Sequence, residues 1–169
     1  MRQISPKVGW QTYLHMSGSG GEPRGSHPFP KIVRKGNQIE IPSTLDHLPK
    51  VIEFIERKLR KLGINRDHVA DIAISVSEAV TNAVVHGNKN DLNKKVKTSF
   101  RVDSSRVEVT VEDEGCGFDR ECLQPPIDEG NLLKEAGRGM LILESLMDKV
   151  DVLCCTDRGT RVRMVKFLT

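Results

Sequence analysis

The segment from Asp67 to His86 constrains the fold more than any other part of the chain, because its apolar residues recur at the spacing of an amphipathic α-helix. The apolar positions are Val69, Ile72, Ala73, Val76, Val80, Ala83 and Val84. Along the same predicted helix, Glu78, Asn82 and His86 follow one another at intervals of four residues. Residues at that spacing lie on one face of a helix. We therefore predict one helix with a buried apolar stripe and a separate polar face.

The polar face of this helix offers a pair of groups that suit chemistry. The carboxylate of Glu78 can accept a proton from a nucleophile, and the amide oxygen of Asn82 can bind a hard cation such as Mg2+. The same residues also fit an ordinary solvated face that ends at Gly87. Both interpretations stay open on this segment alone.

The composition favours one globular domain. At 169 residues the chain is long enough for a sizeable core, and its net charge of +3 is small. The basic stretch Arg57–Lys61 lies at the end of a predicted helix, where cations are favourable, so we expect no direct binding to nucleic acid. No apolar run approaches the roughly 18 residues of a membrane span, so we expect no membrane association. Cys116, Cys122, Cys154 and Cys155 match no zinc pattern, which predicts reduced thiols in a cytoplasmic protein.

Residues 1–30 differ in composition from the rest of the chain. They are rich in Gly, Pro and Ser, and such a segment buries too little apolar surface to offset its chain entropy. We predict a flexible N-terminal extension there and a folded domain over residues 31–169. The extension holds Trp10 and Tyr13, which either dock on a partner or are incidental.

The remaining predicted elements alternate in a simple order. We expect one or two short strands over Lys31–Pro42, with an edge hairpin as one option. Next come a helix over Ser43–Gly63 capped by Ser43 or Asp46, strands over Val96–Asp103 and Arg106–Glu112, a mobile loop over Asp119–Ala136, a helix over Met140–Met147, and a final hairpin over Lys149–Cys155 and Thr160–Leu168. In the last helix, Leu141, Ile142 and Leu146 are expected to face inward. The order predicts an α+β fold, a two-layer sandwich with helices on one face of a mixed, mostly antiparallel sheet.

Asp113 ends one of these strands and is followed by two glycines. Gly115 and Gly117 allow the chain to turn sharply and let a ligand approach closely. A buried carboxylate at this point can accept a hydrogen bond from an exocyclic amine, which adenine has and guanine lacks at the equivalent position. An ordinary acidic turn is the alternative.

A second glycine motif, Gly137-Arg138-Gly139, opens the last predicted helix. A helix N-terminus presents free backbone N–H groups and the positive end of the dipole, which suit a phosphate. Arg138 adds a fixed charge with bidentate geometry. The alternative is a capping turn with a surface arginine.

Together, in this order and spacing, the three motifs resemble the N box and the two glycine boxes of the GHKL (Bergerat-fold) ATPase superfamily. That superfamily includes gyrase-type, chaperone and histidine-kinase ATP-binding domains. The resemblance covers about residues 31–169. The segment Glu78–Gly87 is similar to the bacterial anti-sigma factor branch, the serine-protein kinases that regulate sigma factors by partner switching, and so are the segments Gly137–Met140 and Gly159–Thr160.

The resemblance implies a role for each matched position. It implies that Glu78 is the general base for the attacking hydroxyl and that Asn82 is the Mg2+ ligand. It also implies that Asp113 reads the adenine amine with help from Thr160. The other implied ATP-binding positions are Gly115 and Gly117 in the base pocket, Gly137, Arg138, Gly139 and Met140 around the phosphates, and His86 in a supporting role.

The resemblance implies an anti-sigma factor-like serine/threonine protein kinase. Such a protein binds ATP and Mg2+, phosphorylates a Ser or Thr of an anti-anti-sigma (STAS-type) antagonist, and sequesters a sigma factor. A homodimer is also implied. Two alternatives stay open. One is a non-catalytic module in which ATP acts only as a conformational ligand. The other is a stand-alone ATPase in which Glu78 activates water.

Overall fold

The computed structural model describes residues 31–115, 136–155 and 159–168, with the backbone alone for residues 136–138 and 154–155. The predicted extension over residues 1–30 and most of the predicted loop, residues 119–135, lie outside the described residues. Gly117 lies outside them as well.

The described residues form three α-helices and six strands. The elements are β1 (Val33–Lys35), β2 (Gln38–Pro42), α1 (Leu48–Lys61), α2 (Arg66–Asn82), β3 (Lys95–Val102), β4 (Arg106–Asp113), α3 (Ala136–Leu146), β5 (Lys149–Cys155) and β6 (Gly159–Phe167). The strands lie in the order β1-β2-β3-β4-β6-β5, and every described pairing is antiparallel. The predicted α+β fold is confirmed, and the described sheet has no parallel pair. Among the described helices, none combines the length and hydropathy that a membrane crossing requires.

The core lies between the helices and one face of the sheet. On β4, Val107, Val109 and Val111 alternate toward the helices and are at most 1% exposed. They belong to the same buried cluster as Ile72 and Val76 of α2. Burying a side chain of this size contributes about 1.5–3 kcal/mol. The alternating apolar residues of β4 and the apolar stripe of α2 therefore pack together in one hydrophobic layer.

The start of α1 differs from the prediction. Neither Ser43 nor Asp46 caps it; instead the Thr44 hydroxyl accepts a hydrogen bond of 3.3 Å from the Asp46 amide and begins a short 3₁₀ turn. The α-helix starts only after that turn, at Leu48. Its predicted end is confirmed, because Gly63 follows it with φ +78°.

The inward face of α3 also differs from the prediction. Leu143 and Met147 are buried at 1% and 5% exposure, whereas Leu141 is 57% exposed. Ile142 and Leu146 are half-buried. Four consecutive apolar residues from Met140 onward leave the inward face undefined by periodicity, so packing against α2 decides it.

The C-terminal end of α3 is attached to both α2 and β6 by Lys166. The Lys166 ammonium lies 2.7 Å from the Asp71 carboxylate of α2 and donates a 2.8 Å hydrogen bond to the Leu146 carbonyl. The Asp148 amide just beyond α3 donates to the Val165 carbonyl at 2.9 Å. These bonds fix where α3 ends, and therefore how its first turn approaches α2.

Replacing Lys166 should destabilise the protein. In Lys166→Met the Asp71 carboxylate and the Leu146 carbonyl lose their donor, which should lower the free energy of unfolding by about 1–3 kcal/mol. Denaturant titration measures this, with Lys50→Met on exposed α1 surface as the control. Equal stability of the two variants would contradict the role assigned to Lys166.

Candidate functional site

The C-terminal half of α2 and the first turns of α3 meet at Gly139. Glu78 and Asn82 are half-buried on α2, one helical turn apart. A Cβ atom built on the buried Gly139 would lie 3.2 Å from Asn82 Nδ2 and 3.3 Å from Glu78 Oε2. Because glycine has no side chain, the α3 backbone comes close to both polar groups. The first turn of α3 therefore lies beside a carboxylate and a carboxamide.

The end of the α2 segment is not α-helical, so the prediction of one regular helix through His86 is wrong. Residues Ala83–Gly87 form a π-helical turn, in which the Asn88 amide donates to the Ala83 carbonyl at 2.8 Å. Such turns are rare and are frequent at functional sites. His86 lies in this turn and is exposed, so the four-residue stacking argument does not extend to it.

The π-helical turn brings the chain directly against Asp113. A Cβ atom on Gly87 would lie 2.5 Å from the Asp113 Cγ atom, which leaves no room for a side chain there. Gly87 is thus more than a helix terminator, because only glycine permits this approach.

The Asp113 carboxylate is buried at the end of β4, with 7% of the residue exposed. Its Oδ1 atom accepts hydrogen bonds from the Gly115 amide at 2.8 Å and the Thr160 amide at 3.1 Å. Gly159 precedes Thr160 with φ +83°, and a Cβ atom there would lie 2.7 Å from Asp113 Oδ1. Two chain turns and the π-helical turn therefore close around one carboxyl group.

Burial raises the pKa of Asp113, while the hydrogen bonds from Gly115 and Thr160 and the positive charge of Lys94 oppose the rise. A carboxyl group with a raised pKa binds protons more tightly in the folded protein than in the unfolded chain. Its ionisation at neutral pH therefore lowers stability. A ligand N–H group at this carboxylate would replace part of the hydration that burial removes.

Asn88 is a structural member of the site that the sequence reasoning missed. It is 1% exposed, its Nδ2 group donates to the Lys95 carbonyl at 2.9 Å, and its Oδ1 atom accepts from the Glu114 amide at 2.9 Å. It thus ties the π-helical turn to the start of β3 and to the residue after Asp113. Its position in a polar segment rich in Asn, Lys and Asp gave no signal of burial.

The other predicted positions fall around these two clusters. Met140 is half-buried next to Gly139, and Gly137 and Arg138 lie in the first turn of α3, where only their backbone is described. The first cluster holds Glu78, Asn82 and Gly139, and the second holds Asp113, Gly115 and Thr160. The π-helical turn joins them, since it begins directly after Asn82 and ends against Asp113.

The chain belongs to a known family of nucleotide-binding domains. Residues 41–166 match the family described as the histidine kinase-like ATPase domain, so the chain is a member of that family, and the predicted superfamily is confirmed. Within the family it belongs to the branch of the RsbW serine-protein kinases and anti-sigma F factors, as three curated relatives demonstrate.

Serine-protein kinase RsbW of Bacillus subtilis is 34% identical over 137 residues, which cover 78% of this chain and 84% of that protein. Serine-protein kinase RsbW of Bacillus licheniformis is 40% identical over 114 residues, covering 64% and 70%. Anti-sigma F factor of Anoxybacillus flavithermus is 36% identical over 105 residues, covering 61% and 72%.

The fold has a counterpart among solved structures. The crystal structure of the RsbU and RsbW domains of a Mycobacterium tuberculosis protein superposes with a TM-score of 0.54 at 20% identity. The match covers 77% of this chain and 31% of that longer chain. At this identity the match supports the fold alone.

Removing the Asn88 side chain should destabilise the protein. In Asn88→Ala the Lys95 carbonyl and the Glu114 amide, which are both part-buried, lose their partner, which should cost about 1–3 kcal/mol of unfolding free energy. The matched control is Asn93→Ala in the same loop, because Asn93 is exposed and should change stability by less than about 0.5 kcal/mol. Denaturant titration compares them, and an equal effect would contradict the bridging role of Asn88.

Proposed function

We propose that this chain is an ATP-dependent serine/threonine protein kinase of the anti-sigma factor type. The observation that carries the proposal is the convergence at Gly139, where the first turn of α3 lies against Glu78 and Asn82. Membership of the ATPase-domain family and the names of its relatives, serine-protein kinase and anti-sigma F factor, support the same activity.

Glu78 is the proposed general base. Its Oε2 atom lies beside the start of α3, where backbone N–H groups and the positive dipole end favour phosphate oxygens. A partner's hydroxyl that approaches a phosphate held there comes within reach of this carboxylate. Glu78 would take the hydroxyl proton as the oxygen attacks the terminal phosphorus.

Asn82 is the proposed protein ligand of Mg2+. This ion usually keeps several waters and is held by one or two protein oxygens together with substrate phosphates. Among the described residues, no group of three or more His, Cys, Asp or Glu could hold a metal ion. The Asn82 carboxamide borders the proposed phosphate region at Gly139, with Nδ2 at 3.2 Å and Oδ1 at 3.8 Å from the Cβ position there. With its oxygen turned toward the phosphates, this single amide fits such a mode of binding, in which the ion offsets phosphate charge.

The adenine site is proposed at Asp113. The backbone amides of Gly115 and Thr160 hold the carboxylate in place by hydrogen bonds, and the carboxylate then accepts a hydrogen bond from the exocyclic amine of adenine. Gly137, Arg138 and Gly139 are proposed to contact the phosphates, and Thr160 to assist at the base. Catalysis then consists of positioning and charge stabilisation, with little covalent work for the protein.

The proposed substrate is a Ser or Thr hydroxyl of an anti-anti-sigma (STAS-type) protein, and the second proposed partner is a sigma factor. Sequestering one partner and phosphorylating the other would form a partner switch in the cytoplasm. A homodimer remains a prediction from the family resemblance.

Replacing Glu78 tests the proposed base. Glu78→Gln keeps the size of the side chain and removes its basicity, so transfer from labelled ATP to an antagonist protein should fall by at least about a hundredfold. Affinity for ATP, measured by calorimetry, should change little. The matched control is Glu144→Gln, an exposed position on α3. Transfer at the parent rate would refute the assignment, and a parent protein that binds both partners without transfer would favour the non-catalytic module.

Replacing Asp113 should separate binding from stability. Asp113→Asn presents an amide donor to the adenine amine, so ATP affinity should fall by about 10- to 100-fold. The unfolding free energy at neutral pH should stay equal or rise, because a desolvated charge is removed. That gain should shrink as pH falls through the raised pKa of the folded carboxyl and vanish only below the ordinary aspartate pKa of about 3.9, where the parent carboxyl is protonated in both states. Unimpaired ATP affinity would contradict the adenine assignment.

A further inference from the structure

One solvent-facing side of α2 carries little charge. Its members recur at intervals of three or four residues and are exposed or half-buried, and together we call them the outer face of α2: Ala70, Ile74, Ser77, Glu78 and Thr81. Glu78 is the one charged residue among them, and Asp71 at their border is paired with Lys166 at 2.7 Å. Helix α1, by contrast, has seven charged residues in its 14. Depletion of charge is typical of surfaces that a partner covers.

Ile74 is the large apolar residue of the outer face, and 48% of it is exposed. An exposed aliphatic residue is ordinary by itself, since Leu62 at the end of α1 is 55% exposed. Ile74 differs in its surroundings, because the residues one turn away on the same face are the small Ala70 and the proposed base Glu78. The outer face therefore offers an apolar contact directly beside the reacting group.

The proposed role of Glu78 fixes where an acceptor hydroxyl must lie. Glu78 Oε2 is 3.3 Å from the Cβ position of Gly139, in the first turn of α3, where the phosphates are proposed to bind. A hydroxyl that gives its proton to this carboxylate approaches it to about 2.6–3.2 Å. The residues on either side of the acceptor are then brought onto the outer face of α2.

The spacing along the outer face matches that of an extended peptide. Side chains four residues apart on a helix, such as Ile74 and Glu78, have Cβ atoms about 5–6 Å apart. In an extended chain, side chains two residues apart lie on one side and are separated by about 6.6 Å. When an acceptor side chain meets Glu78, a side chain two positions away in the same segment therefore reaches Ile74.

We propose that the outer face of α2 docks the acceptor-bearing segment of the substrate protein, and that Ile74 selects an apolar side chain two residues from the acceptor serine or threonine. Burial of that side chain against Ile74 supplies affinity and fixes the register of the segment. The inference rests on the proposed kinase activity, in which the acceptor oxygen bonds the terminal phosphorus of ATP, ADP leaves and Glu78 takes the hydroxyl proton.

Two other occupants of this face conflict with that activity. A second copy of the chain docked here would cover Glu78 and exclude the acceptor. The chain's own Thr12 has Trp10 and Leu14 two positions away, which is the same spacing. A tethered segment acts at a high effective concentration, so its docking would keep a separate substrate protein out.

The probes for the experiment are two synthetic peptides that differ only in the residues two positions from the acceptor. One is Ala-Leu-Ala-Ser-Ala-Leu-Ala, and the other has glutamine in place of both leucines. Transfer from labelled ATP by the full-length protein should show a kcat/KM about tenfold higher for the leucine peptide, because only leucine buries apolar surface against Ile74. Equal kcat/KM values for the two peptides would overturn the proposal.

Variants of Ile74 locate the preference. Ile74→Ala should raise KM for the leucine peptide about tenfold and change kcat by less than about twofold, because the lost contact is made in the bound substrate and in the transition state alike. Ile74→Leu should retain the preference. The matched control is Leu62→Ala, which truncates another exposed aliphatic side chain away from Glu78 and should change neither constant. Equal effects of Ile74→Ala and Leu62→Ala would contradict the assignment.

The possible failures give different results. If both peptides are poor acceptors, or equal ones, while an antagonist protein is phosphorylated in a Glu78-dependent way, the docking proposal is wrong and the kinase assignment stands. If no acceptor receives phosphate in a Glu78-dependent way, the kinase assignment fails and this inference fails with it. Label on Thr12 instead of the peptide, or self-association that Ile74→Ala abolishes, would assign the face to the chain's own segment or to a second copy and overturn the proposal.

Discussion

The buried carboxylate of Asp113 is the interaction on which the arrangement of the site depends. Two backbone amides hold one of its oxygens, and they come from the turn after β4 and from the start of β6. Desolvation makes an ionised group at this place unfavourable, as the raised pKa indicates. The proposed adenine site needs a buried acceptor at this place, and a cost of this kind is a common origin of the conflict between activity and stability.

The glycines around this carboxylate follow from the same constraint. A side chain at Gly87, Gly115 or Gly159 would overlap the atoms of Asp113, so three chain segments approach it as bare backbone. Gly139 plays the corresponding part at the other cluster, beside Glu78 and Asn82. Close backbone approach is thus used twice, and the wide π-helical turn connects the two places.

Much of the fold could be predicted because strong periodic patterns coincide with burial. The helical stripe of α2 and the alternation of β4 predicted the two layers, and the glycine motifs marked places where the backbone comes close to Asp113 and to Glu78 and Asn82. The π-helical turn could not be predicted, since it differs from an α-helix by one residue per hydrogen bond and leaves the apolar pattern almost unchanged. Asn88 was missed because the residue type alone does not distinguish a buried amide from a solvated one. The exposed side of α3 could not be predicted because four apolar residues follow one another there.

One strand joins the separate parts of this molecule. β6 carries Thr160, proposed for the adenine site, next to its first residue; it points Arg161 and Arg163 to the open face and Lys166 to the helices. Side chains alternate along a strand, so a shift of one residue would exchange the two faces. An insertion or deletion of one residue within β6 would therefore move every later side chain of the strand to the opposite face of the sheet. Geometry thus constrains the length of this strand as well as its composition.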